Sequence, residues 1–149
     1  MISSLLLILG LTLLIHLDGL WAIKRNTKHF EGWPRLGLAV IVILSIQLHV
    51  AEIGCFALSY QYADALLGIG HLTFADPPGF LDCFYYSAET FTALGYGDVT
   101  ATGDLRLVAV SEPLVGLTLI SWSGAYTFIA MQRFWKDQRE RFPRGKPPA

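Results

Sequence analysis

Three long apolar runs decide most of what this chain can become. Residues 2–23, 36–67 and 105–135 each carry enough apolar side chains for a membrane-crossing helix, which takes roughly 20 of them. The second run opens Leu36-Gly37-Leu38-Ala39-Val40-Ile41-Val42-Ile43-Leu44 and is long enough to cross with tilt. The third is apolar apart from Arg106, Glu112 and small polar residues, and ends abruptly in a charged tail. Charged residues make up 15% of the chain, against roughly 25% in a soluble domain, so lipid is the expected solvent. The sequence predicts an all-α membrane protein with three transmembrane helices, folded as one unit.

The formal net charge of -1 conceals a segregation along the chain. Lys24, Arg25, Lys28 and Arg35 fall between the first two runs, and Arg133, Lys136, Arg139, Arg141, Arg144 and Lys146 lie at or beyond the end of the third, which leaves only Arg106. Residues 63–104 hold Asp64, Asp76, Asp82, Glu89, Asp98 and Asp104 with no Lys or Arg. Basic loops stay inside, so the expected topology has the N-terminus outside, the 24–35 loop cytoplasmic, 63–104 outside and the 136–149 tail cytoplasmic. The first run lacks a basic start and a small-x-small cleavage site, and cleaving it as a signal would put the basic loop outside, so it is expected to be retained.

Between the second and third runs lies a shorter segment. Asp76-Pro77-Pro78-Gly79 is a turn and helix start, and Phe80 to Thr92 suits a helix. Such a helix reaches about 20 Å, too short to cross. It must enter and return, which is tolerated only where protein buries the backbone or water lines it. At its end stands Gly95-Tyr96-Gly97-Asp98. Glycines flanking one residue let the backbone alternate between ordinary and mirror-image conformations, so that successive carbonyls can point at one axis. A symmetric ring of such strands would replace the water shell of an ion, with the negative end of the short helix aimed at it.

Ser87-Ala88-Glu89-Thr90-Phe91-Thr92-Ala93-Leu94-Gly95-Tyr96-Gly97-Asp98 resembles the pore helix and signature sequence of the potassium channel pore-loop family. The likeness to small bacterial two-helix ion channels covers residues 36–135, here with one extra N-terminal span. It implies a pore domain with outer helix 36–67, pore helix 80–92, filter 93–98 and inner helix 105–135. It also implies that the carbonyls of Ala93, Leu94, Gly95 and Tyr96 bind dehydrated K+, that Thr92 ends the pore helix, and that Glu89 and Asp98 form a carboxyl pair bracing the filter. Ala93 departs from the family, whose usual threonine supplies a hydroxyl to the innermost ion; Leu94 for valine is milder, since only its backbone would face the ion. Arg106 to Val110 followed by Gly116 resembles the start and glycine hinge of the inner helix, and packing is the other reading of that glycine. Leu117, Ile120, Gly124 and Phe128 would then line the cavity.

Ionisable residues inside the runs ask for partners. Glu112-Pro113 should face protein or water, and His49 and Glu52 share a helical face. That pair reads as a hydrogen-bonded contact against the pore helix, with proton sensing the alternative; His16 and Asp18 read as packing or interfacial. No span carries an Arg/Lys series for voltage sensing, Cys55 and Cys83 match no metal or redox spacing, and no catalytic motif occurs. One filter segment per chain implies a homotetramer in lipid, in a bacterial inner membrane, with K+ as permeant ion and no organic cofactor, nucleic acid or enzymatic activity. A non-selective cation channel and a non-conducting channel-associated subunit are the rival readings.

Overall fold

The computed structural model describes residues 2–27, 30, 32–74 and 79–141. Among the described residues four α-helices follow in order: α1 (Ile2–Thr27), α2 (Pro34–Tyr62), α3 (Phe80–Phe91) and α4 (Leu105–Arg141). Three contain stretches long and apolar enough to cross a membrane, Leu5–Thr27, Arg35–Tyr62 and Leu105–Lys136. The chain is an all-α membrane protein. Leu72 and Ala101 form an isolated antiparallel bridge, and no longer strand occurs among the described residues.

Helix ends depart from the apolar runs where local chemistry overrides hydropathy. α1 continues past residue 23 to Thr27: Lys24 and Arg25 occupy its last turn, where positive charge complements the helix dipole, and the Arg25 guanidinium lies 4.8 Å over the Trp21 ring. The second run is α-helical only to Tyr62; Ala63–Leu67 widen into a π-turn, and Gly68 at φ 59° ends it. α4 runs six residues past 135, because Lys136 to Arg141 are polar but mostly good helix formers. At 37 residues it is about 55 Å long, more than a bilayer core needs.

Two apolar clusters hold the helices together. At the end nearer α3, Phe56, Ala57 and Tyr60 of α2 meet Cys83, Tyr86 and Phe91 of α3 and Leu105, Val108 and Leu119 of α4. Tyr60 and Tyr86 pack edge to face there, centroids 5.0 Å apart. At the far end Leu20 and Ile23 of α1 and Ile41 of α2 pack with Tyr126, Ala130 and Phe134 of α4. α1 lies mainly along α2. Leu6, Leu7, Ile43, Val110, Leu114 and Ile129 point outward, an arrangement suited to lipid or neighbouring subunits rather than water.

α3 starts on Gly79, whose amide donates to the Asp82 carboxylate at 2.8 Å. The rest of the expected turn, residues 76–78, lies outside the described residues, as do Lys28 of the basic loop and the tail beyond 141. The segments flanking the α3 hairpin are laced together: Thr73 donates to the Thr100 carbonyl, Thr102 to that of His71 and Leu105 to that of Ile69, at 2.9–3.0 Å. Arg106, the one basic residue outside the two blocks, bonds the Ala101 carbonyl through Nε at 3.2 Å.

Candidate ion filter and its supports

α3 ends where its backbone amides stop propagating. The Leu94 and Gly95 amides both fold back on the Glu89 carbonyl, at 2.8 and 3.2 Å, and Ala93 donates to Thr90. Thr92 caps the helix, its hydroxyl donating to the Ala88 carbonyl at 2.7 Å. Beyond it the backbone alternates: Ala93, Gly95 and Gly97 have φ of 57°, 56° and 80°, and the intervening Leu94 and Tyr96 do not have positive φ. Positive φ costs a glycine little and a residue with a Cβ about 1–2 kcal/mol. Ala93 is thus the strained member, with the smallest Cβ available. A β-branched threonine is a poorer fit to that conformation.

Two acids support this stretch, each with its own partner. Glu89 is buried, and its Oε2 accepts from the Tyr96 amide at 3.0 Å. Asp98 accepts from the Tyr85 hydroxyl at 3.0 Å. That bond raises the Tyr85 pKa above its ordinary value. Residues 92–98 are all exposed, Leu94 and Tyr96 at 57% and 68%. Within one chain the alternating segment is left open to its surroundings.

Behind α3, α4 is locked in place by a buried carboxylate. Glu112 accepts from Ser87 of α3 at 2.6 Å and from Tyr60 of α2, so three helices share one acid that faces protein, as an acid inside a span should. Gly116 sits one turn further on, and there α4 touches the end of α3: a Cβ at Gly116 would lie 2.1 Å from the Phe91 carbonyl oxygen. This glycine has a packing reason, and α4 runs unbroken through it. Of the expected cavity residues, Leu117, Gly124 and Phe128 are exposed, whereas Ile120 is half-buried against the chain's own core.

Residues 49–133 match the model of a family described as Ion channel. The chain belongs to that ion channel family. The matched region takes in the half of α2 that contacts α3, all of α3, the alternating segment and most of α4. Protein LctB of Bacillus caldotenax is 30% identical over 118 residues, covering 73% of this chain and 81% of that protein. No solved structure matches. α1 lies outside the family match, in keeping with an added span.

Sequence reasoning did not foresee three supports of this ion channel fold. Tyr60 and Ser87 as partners of Glu112 lie 52 and 25 residues away from it, and nothing local marks them. His16 of α1 reaches across 36 residues to Glu52, which places the expected His49–Glu52 pair in a three-residue cluster. Asp18, two residues on, is exposed instead.

Proposed function

We propose that the chain is one subunit of a homotetrameric potassium channel that conducts K+ passively down its electrochemical gradient. The observation that carries this is the alternation of backbone hand at Ala93, Gly95 and Gly97. Alternation of this kind turns successive carbonyls to the same side, and rings of such carbonyls stand in for the hydration shell of K+. The carbonyls of Ala93, Leu94, Gly95 and Tyr96 bind the ion in this reading, and Thr92 to Asp98 form the filter. Glu89 holds the Tyr96 amide and keeps the strand from turning over. The exposure of Leu94 and Tyr96 supports closure by neighbouring copies, four around one axis being the symmetric solution.

The filter end faces outward and the basic 136–149 tail faces the cytoplasm of a bacterial inner membrane, following the Lys and Arg distribution. No prosthetic group takes part. A second reading, a non-selective cation channel, draws on Ala93, which removes a coordinating hydroxyl from the innermost site. Flux into liposomes containing only this protein decides between them: K+ entry with Na+ excluded supports the proposal, equal entry of both supports the rival. No K+ entry through a demonstrated tetramer refutes conduction.

A further inference from the structure

Midway along α1 and α2, three metal-ligating side chains converge away from the filter. The two carboxylate oxygens of fully buried Glu52 each meet one histidine Nδ1, His16 from α1 and His49 from α2, both at 2.8 Å. The imidazole rings stack with centroids 5.6 Å apart and 22° between their planes. One ligand atom from each of the three lies within 4.8 Å of the others. His16 is fully buried, and its Nε2 has no hydrogen-bond partner. Protein hydrogen bonds alone leave this cluster incomplete.

Two imidazoles and a carboxylate make the donor set of an open zinc site, the fourth position going to water. The hard cations K+, Mg2+ and Ca2+ prefer all-oxygen shells, so the cluster discriminates against the ions a pore would carry. Bonds of about 2.0–2.2 Å place tetrahedral ligand atoms roughly 3.3 Å apart, so each N···O contact would open by about half an ångström. A half-turn of an imidazole about its Cβ–Cγ bond presents the other nitrogen, which gives His16 either atom to use. His49 keeps 15% of its side chain exposed, an opening for entry. A divalent ion also offsets the carboxylate charge, which is costly in the middle of a span.

We infer that His16, His49 and Glu52 bind a divalent transition-metal ion of the zinc class and so pin α1 to the pore-forming helices. His49 lies 6.0 Å, centroid to centroid, from Phe91, the last residue of α3, so the bound ion is one ring away from the base of the alternating segment. The site stands on its own ligands, whether or not the chain conducts K+.

The test is titration of the full chain, purified through chelator into detergent, with Zn2+ followed by calorimetry and Co2+ by its visible absorption. One ion per chain is expected, with the intense bands of four-coordinate cobalt. His16→Gln and His49→Gln should each weaken affinity at least 10-fold, the smallest loss typical even of groups that only support a ligand. The chain has four histidines, and a His29→Gln/His71→Gln double variant should keep the parent affinity. The parent is read directly, so a poorly folded variant hides nothing. Absence of uptake by the folded parent, uptake that survives in both single variants, or loss of binding in the double variant overturns the assignment.

Discussion

Replacing Gly116 by alanine separates the two roles, hinge and contact point, that a glycine can play in α4. The added Cβ would lie 2.1 Å from the Phe91 oxygen and 2.9 Å from both its carbonyl carbon and Cγ. A carbon–oxygen contact needs about 3.3 Å, so α4 and the end of α3 must part by about 1.2 Å. The obstacle is backbone, which no rotamer change relieves, so the cost sits near the upper end of the usual overpacking range, about 3 kcal/mol. Alanine returns about 1 kcal/mol through its helix propensity. The net loss of about 2 kcal/mol lowers the melting temperature by about 4–8 °C in a chain of this size. Gly124→Ala is the internal control: nothing lies within 4 Å of its added Cβ, so that variant keeps or gains up to about 1 kcal/mol. The assay is thermal unfolding of the detergent-purified protein followed by tryptophan fluorescence, with K+ flux measured on the same samples. A Gly116→Ala protein that melts at or above the parent while its flux changes would refute the packing argument and leave the hinge in its place.

Further substitutions probe the alternating segment and its supports. Gly95→Ala meets no neighbour within 4 Å but keeps a φ of 56°, so it costs about 1–2 kcal/mol through backbone strain alone; K+ flux should fall while oligomer size on gel filtration is unchanged, and parent-level flux would show that the strain is not there. Glu89→Ala removes the acceptor of the Tyr96 amide, a hydrogen bond worth about 0.5–1.5 kcal/mol, whereas Glu89→Gln keeps an acceptor; equal K+ selectivity in the two variants would contradict a bracing role. Ala93→Thr adds a hydroxyl at the innermost ion position of the proposed filter but places a β-branched residue at φ 57°; barium block tighter than in the parent is expected, and identical block would count against an ion at that position. Ser87→Ala leaves one Glu112 oxygen without its 2.6 Å donor and should lower the melting temperature by about 2–4 °C for about 1 kcal/mol, which the same fluorescence melt reads.

The apolar runs and the charge blocks were sufficient to specify three spans, because crossing lipid depends on length and composition, which a sequence states outright. The Gly95-Tyr96-Gly97 spacing likewise carried the alternation of hand, since φ is a local property and a residue without a Cβ announces it. Partnerships between spans are another matter. Ser87 and Tyr60 look like ordinary helix residues until α4 brings Glu112 between them, and His16 reads as an isolated polar residue until α1 lies against α2. Whether Gly116 is a joint or a contact point depends on the Phe91 carbonyl arriving beside it. Hydrogen bonds and close contacts between distant segments depend on the docking of whole helices, and that is decided by the packing of all their side chains together. Residue type fixed which groups needed partners; only the assembled helices chose them.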